Sequence, residues 1–234
     1  MPRVLGHSGD GAGKEDDAPP ETDRPILSWL LLDWIEPGGP SEAANRALGA
    51  GLATLHRPYP EGTSAGWQEE GWIATLSQRN VPSPSWPTFW FRERLAPQWE
   101  RARRSSALPA SADSDFQELE WTLQDVLSGW EADGICLLHG DLWAGNVLVS
   151  ADGVPHLVDP AVYRGHREVD LAMLELFGSP GPSFFEAYQE IRPLAPGLGR
   201  RLPVYQLYPL LVHVNLFGGG YRSQALHCLR AILR

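Results

Sequence analysis

HGDLWAGNVLV, residues 139–149, is followed a few residues later by HLVDPA, 156–161. Two carboxylates and an amide recur here at short intervals: Asn146 lies five residues after Asp141, and Asp159 thirteen after Asn146. Between the last two, VLVSADGVPHLVD (147–159) reads as a β-hairpin, with two apolar arms around Ala151-Asp152-Gly153 and Asp-Gly as the turn signal. Closing that hairpin returns Asp159 to the neighbourhood of Asn146. Upstream, ICLLHGD (135–141) is a short apolar run that delivers Asp141 into a loop. Each of these residues alone is ordinary at a turn. The spacing, with His139-Gly140 ahead of the first acid, is what distinguishes them.

An acid, an amide and a second acid so arranged solve one chemical problem. Phosphoryl transfer from a nucleotide needs an acceptor hydroxyl oriented by a base, and magnesium held against the phosphates. Magnesium is a hard ion that takes carboxylate and carbonyl oxygens and keeps several waters. Asp141 then orients the hydroxyl and accepts its proton, while Asn146 and Asp159 hold the metal. The spacings reach no further than metal-assisted transfer to a hydroxyl.

Outward from this stretch, residues 6–25 are rich in Gly, Pro and acid and read as a flexible loop. GDGAGK within it fails as a phosphate-binding loop, because Ser8 stands where the first Gly belongs and Glu15 where a Ser or Thr should hold magnesium. ILSWLLLDWIE (26–36) reads as a buried strand ended by Pro37-Gly38-Gly39. Ser41 caps a helix to about Arg57; 58–84 is loop-like; helices follow at about 86–104 and 113–130. Further helices fall at about 168–177, 182–191, 203–217 and 221–234. Trp86, Trp90 and Trp99 read as core, and His56 and His213 as satisfied structural histidines.

The net charge of -10 offers no basic stripe for nucleic acid. No apolar run has the length of a membrane span, and two cysteines make no disulfide framework, so a cytoplasmic monomer is expected. Lys14 is the only lysine beside eighteen arginines.

The motif HGD-x-x-x-x-N with a later metal-site Asp resembles the catalytic loop of protein-kinase-like small-molecule kinases, in which DPA can stand where protein kinases have DFG. HGDLWAGNV, VDPAVYRGHREVDLAM and VYQLYPLLVHVNLFGGGY are similar to the fructosamine (ketosamine) kinase family. LLLDWIEPGG, GWIATLSQRN and SWPTFWFRERLAPQ fit the same family, so the resemblance runs from about residue 26 to 222. It implies an α+β, protein-kinase-like fold: a truncated small β lobe (1–37, a flexible loop plus a hinge strand) and a mostly α-helical lobe (38–234). It implies ATP and Mg2+ as cofactors, and a small-molecule or protein-bound ketosamine as substrate, phosphorylated on a sugar hydroxyl in a deglycation role. Asp141 is the base, and Asn146 and Asp159 are the metal ligands. Backbone near Asp33, Trp34 and Ile35 meets the adenine. Trp143 lines the sugar-amine pocket, with plain packing as its alternative. His166 and Arg167 are candidates for substrate or phosphate contact, against a helix-entry ion-pair network. Asp170 and His139 brace the catalytic loop.

The resemblance also implies a Gly-rich strand pair and a strand lysine that hold the phosphates. No part of the sequence matches these, and MPRVLGH resembles the family's stretch just beyond them. A misplaced start and a natural truncation are both open, and little or no kinase activity is expected of the chain as it stands. Two other readings remain: an aminoglycoside- or choline-type kinase, and a degenerate kinase acting as a binding or regulatory module.

Overall fold

The computed structural model describes residues 2–7 and 29–234. The flexible-loop reading of 6–25 falls almost wholly outside them, as do the GDGAGK reading and Lys14. Among the described residues the strands come as four antiparallel ribbons, not one broad sheet. β1 (Val4–His7) pairs with β2 (Leu30–Leu32), and β3 (Gly71–Ile73) with β4 (Leu76–Gln78). β5 (Cys136–Leu138) pairs with β8 (Tyr163–Gly165), and β6 (Val147–Val149) with β7 (Pro155–Leu157).

Among the described residues the α-helices are α1 (Glu42–Leu55), α2 (Trp86–Phe89), α3 (Ala96–Arg104), α4 (Asp113–Val126), α5 (Glu168–Phe177), α6 (Pro182–Ile191), α7 (Leu198–Phe217) and α8 (Tyr221–Ile232). Between α2 and α3 the chain makes a wider π-helical stretch, Trp90–Leu95. The Ser41 side chain accepts the Ala44 N–H at 3.1 Å, which satisfies one of the orphan donors at the start of α1. α1 lies close against α6, an approach that needs Gly49: a Cβ there would sit 2.2 Å from the Phe184 carbonyl oxygen.

Two apolar cores result. The larger gathers Trp86, Phe89, Trp90 and Trp99 with α4, α7 and α8; the smaller joins α1, α5 and α6 through Leu48, Leu52, Leu171, Leu174 and Phe184, with Leu142 from the catalytic loop. Each fully buried Leu or Phe contributes about 1.5–3 kcal/mol relative to exposure. Leu142 therefore anchors the loop that carries Asp141 to the helical core.

Three expectations change. Among the described residues of the run 26–36, strand structure is confined to the three-residue β2, and Leu30 and Leu31 are 60 % and 55 % exposed. Among the described residues β2 has one partner, β1, and no layer covers its face; apolar sequence alone cannot say what will cover a strand. The 58–84 segment contains the β3–β4 hairpin, concealed because Ala74 takes a positive φ of 50° at a turn where glycine is usual. α7 begins at Leu198 and runs through both Pro203 and Pro209.

Candidate active site

The β5–β8 pair and the β6–β7 hairpin hold the catalytic loop between them. Leu138 ends β5, and His139 and Gly140 turn the chain into Asp141. Asp170, fully buried in the first turn of α5, accepts the His139 N–H at 2.8 Å and the Gly140 N–H at 2.9 Å. Its Oδ2 also lies 3.1 Å from His56 Nε2, and His56 Nδ1 is 2.8 Å from the Tyr188 hydroxyl. Burial pushes the His56 imidazolium pKa down, so the ring is neutral near pH 7. It then donates from Nε2 to Asp170 and accepts the Tyr188 O–H. Burial opposes the Asp170 charge, but the His56 bond and the loop N–H groups outweigh it and hold that carboxyl below its usual range.

One amide joins the three motif residues. Asn146 Nδ2 donates to the Asp141 main-chain oxygen at 2.8 Å, to the Asp141 carboxylate at 3.3 Å and to the Asp159 main-chain oxygen at 3.5 Å. His139 reaches the same segment from the other side, with Nε2 2.8 Å from the Val158 carbonyl. Asp159 itself takes a left-handed φ of 52°, a conformation uncommon outside glycine and held only where the surroundings fix it.

With its nitrogen so engaged, the Asn146 Oδ1 accepts no hydrogen bond among the described residues, and neither does the Asp159 carboxylate. Two unengaged oxygen ligands suit a hard cation that completes its shell with water and phosphate. Among the described residues no group of three or more His, Cys, Asp or Glu forms a metal cage. The donor set fits magnesium better than zinc.

Burial pushes the Asp141 carboxyl pKa up, against the opposing pull of His139, Asn146 and His213. A raised carboxyl is better matched to proton transfer near neutrality than an ordinary one. Asp141 faces a cavity of about 370 Å³. Its wall comes from the β3–β4 turn (Ile73, Ala74), from Trp143, and from one face of α7 (Tyr205, Tyr208, Val212, His213). Phe177, Phe217 and Tyr221 close the far corner around His213, whose ring stacks on Phe177 at 4.6 Å. Trp143 is held flat over Gly145, where any Cβ would meet its ring at 2.2 Å.

A second cleft, also about 370 Å³, is lined by Asp33, Trp34, Ile35, Leu148 and Val158. Val158 directly precedes Asp159. The order through the molecule is therefore the β2 cleft, Asp159, Asn146, Asp141 and then the aromatic cavity.

The sequence model of the fructosamine kinase family matches residues 10–234. The chain belongs to the fructosamine kinase family. An Enterococcus faecium protein named "Probable ketoamine kinase" is 41 % identical over 84 % of this chain and 69 % of its own. The chloroplastic protein-ribulosamine 3-kinase of Arabidopsis thaliana is 34 % identical over 88 % of this chain and 62 % of its own. A crystal structure assigned as a fructosamine-3-kinase, from Thermobifida fusca YX-ER1, superposes with a TM-score of 0.76. It has 39 % identity and covers 88 % of this chain and 72 % of its own. The fold is the kinase-like α+β fold of this fructosamine kinase family, and the relatives' names are those of phosphotransferases.

Two candidate residues of this fructosamine kinase family member lie elsewhere. His166 and Arg167, considered for substrate contact, are 2 % and 1 % exposed and line neither cleft. Both turn to Asp133: His166 Nε2 at 3.3 Å and Arg167 at 2.8 Å, while Arg167 also donates to the Pro193 and Arg192 carbonyls. The acceptors that the buried Arg167 guanidinium meets all belong to the fold. Burial raises the Asp133 carboxyl pKa, but its bonds to His166 and Arg167 prevail and hold it far below the usual range. The ion-pair alternative is what the structure contains.

His213 shows what the sequence reading missed. It does bond structurally, with Nδ1 2.8 Å from the Pro209 carbonyl. That carbonyl can only accept, so Nδ1 carries the proton and, in the neutral ring, Nε2 is left as an acceptor on a residue that lines the cavity. Tyr205, Tyr208 and Phe217 lie on α7 and Tyr221 on α8; only the packing of α7 on α5 and α8 turns them into a pocket wall.

Proposed function

We propose that this chain transfers the γ-phosphoryl group of ATP, with Mg2+, to a sugar hydroxyl of a ketosamine. The observation that carries the reading is the Asn146 amide, which ties the proposed base Asp141 to the segment bearing the proposed metal ligand Asp159. In this reading the β2 cleft takes the adenine against Leu148, with Asp33, Trp34 and Ile35 on its rim. Asp141, held by Asn146 and by the braced loop, orients the acceptor hydroxyl and takes its proton. Asn146 Oδ1 and the Asp159 carboxylate hold the metal, which when bound neutralises charge developing on the phosphates. A phosphate next to the amine linkage makes the adduct prone to fall apart, hence a role in deglycation.

The acceptor cavity supports a ketosamine over a polycation. Among the described residues Asp141 is the only carboxylate lining it, and its rings offer π faces for a single ammonium. An aminoglycoside, with several cationic amines, would find no further counter-charge there among the described residues.

The test is a phosphorylation assay with fructosyl-lysine and an aminoglycoside as acceptors, beside calorimetry of ATP with and without Mg2+. Product from fructosyl-lysine alone, absent in Asp141→Asn, is expected; product from the aminoglycoside alone would overturn the substrate assignment. One observation favours a second reading, in which binding outlasts chemistry. Lys14, the sole lysine, stands in a Gly- and acid-rich stretch with no strand pattern around it, and arginine replaces a compact phosphate-holding ammonium poorly. Turnover of these 234 residues is expected below the ordinary kinase range of about 1–100 per second. Magnesium-dependent heat that is lost in Asp159→Ala, without product, would select that second reading.

A further inference from the structure

We infer that Gln78, on β4, is a positioning residue for the segment that carries Asp159, and that its carboxamide sets how well that segment holds a divalent metal. The inference rests on the proposed role of Asp159.

The unusual backbone of Asp159 has to be held from both sides. On the amino-terminal side the Val158 N–H donates to the Asn146 carbonyl at 3.1 Å, and the Val158 carbonyl meets His139 Nε2 at 2.8 Å. On the carboxy-terminal side the Ala161 N–H donates to the His139 carbonyl at 2.9 Å. These three bonds, like the Asn146 amide's bond to the Asp159 main-chain oxygen, all come from the loop that carries Asp141. One more does not: Gln78 Nε2 donates to the Ala161 carbonyl at 3.1 Å, from a residue 83 positions away.

The Gln78 side chain is itself fixed. It is 1 % exposed, and its Oε1 accepts the Tyr208 O–H at 3.1 Å. The Ala161 carbonyl can only accept, so the amide must present its nitrogen there and its oxygen to Tyr208. Burial pushes the Tyr208 pKa up to about 12, so the phenol keeps its proton and remains a donor.

The carbonyl that Gln78 holds is a junction. It presses on Gly140, the residue before Asp141, so closely that a Cβ at 140 would lie 2.1 Å from it. Displacing Ala161 therefore disturbs the metal-bearing segment and the base-bearing loop together. Ile73 and Ala74, at the turn of the same hairpin, line the acceptor cavity, and so does Tyr208. The hairpin thus connects the cavity wall to the metal segment through one amide.

The experiment measures Mn2+ binding in the presence of ADP, following free Mn2+ by electron paramagnetic resonance, with thermal melting in parallel. Gln78→Met keeps the length and removes both hydrogen bonds. It is expected to raise the Mn2+ midpoint about tenfold or more, the scale for losing a group that supports a metal ligand. Tyr208→Phe keeps the Ala161 bond but frees the amide to turn, and is expected to give a smaller rise. A lowered melting temperature with an unchanged midpoint would make Gln78 a packing residue only and overturn the inference. If Gln78→Met does not fold, an unchanged midpoint in Tyr208→Phe overturns it and a raised one supports it. Wild-type chain that binds no Mn2+ with ADP would remove the metal-site reading, and this inference with it. Wild-type binding lost in Asp159→Ala but unaltered in Gln78→Met would leave that reading standing and refute the inference alone.

Discussion

Asn146 donates from one amide nitrogen to both the main-chain oxygen and the carboxylate of Asp141, at 2.8 and 3.3 Å. The side chain proposed to hold the metal therefore also aims the side chain proposed to take the proton. Asn146→Ala is expected to raise the Mg2+ midpoint for ATP binding at least about tenfold. The lost hydrogen bonds should cost about 1–2 kcal/mol of stability. Calorimetry across a Mg2+ series, beside denaturant melts, checks both numbers; an unchanged midpoint would remove Asn146 from the metal site.

Asp141→Asn should end phosphoryl transfer and yet stabilise the fold. The folded Asp141 carboxyl binds its proton more tightly than the unfolded one, because burial disfavours the charge. Its ionisation therefore costs stability, a cost absent at acid pH that sets in as pH rises through the carboxylate range. The melting-temperature gain of Asp141→Asn over wild type should be larger at pH 8 than at pH 4. Any wild-type transfer should fade as pH falls through the raised pKa. A gain that shrinks toward pH 8 would mean that the folded carboxyl is lowered, not raised.

Asp170 has the opposite sign. Its folded pKa is depressed, so its contribution is present above the ordinary carboxylate range and lost as pH falls through the lowered value. Asp170→Ala strands the His139 and Gly140 N–H groups and the His56 ring at a buried position. The expected loss is about 1–3 kcal/mol for each buried donor left unsatisfied, the His56 ring being neutral. Urea unfolding measures it, and a loss under about 1 kcal/mol would show that the loop does not lean on this carboxylate.

Arg167→Ala separates structure from substrate contact. Two carbonyls lose their donor while Asp133 keeps His166 and Arg192, so stability should fall by about 1–3 kcal/mol. Binding of fructosyl-lysine by the folded fraction should not change. Weaker binding at undiminished stability would make Arg167 a substrate contact after all.

Local chemistry was legible where it was strong. Ser41 announces α1, Asp152-Gly153 the β6–β7 hairpin, and the bounds of α5 and α6 follow from flanking turns and periodicity. Trp86, Trp90 and Trp99 are buried as their helical spacing suggests. What escaped was what distance in the chain decides. β8 becomes a strand only by pairing with β5, and Ala74 turns a hairpin without a turn residue. The chemistry of Asp141, Asn146 and Asp159 could be proposed from spacing alone, but the cavity they face could not. Its aromatic wall is drawn from α5, α7 and α8, and no short window contains it.

The π-helical stretch Trp90–Leu95 has a consequence for insertions and deletions. It lets α2 present Trp86 and Phe89, and α3 present Trp99 and Ala102, to one continuous core, although the two helices differ in phase. Inserting one more residue there, where the wider turn already takes up the extra one, would turn everything beyond it by about 100°. Trp99 would leave its stack on Phe116, now 4.3 Å between ring centres, and the Asp113 carboxylate that its indole N–H reaches. This helix can exchange side chains more readily than it can change its length.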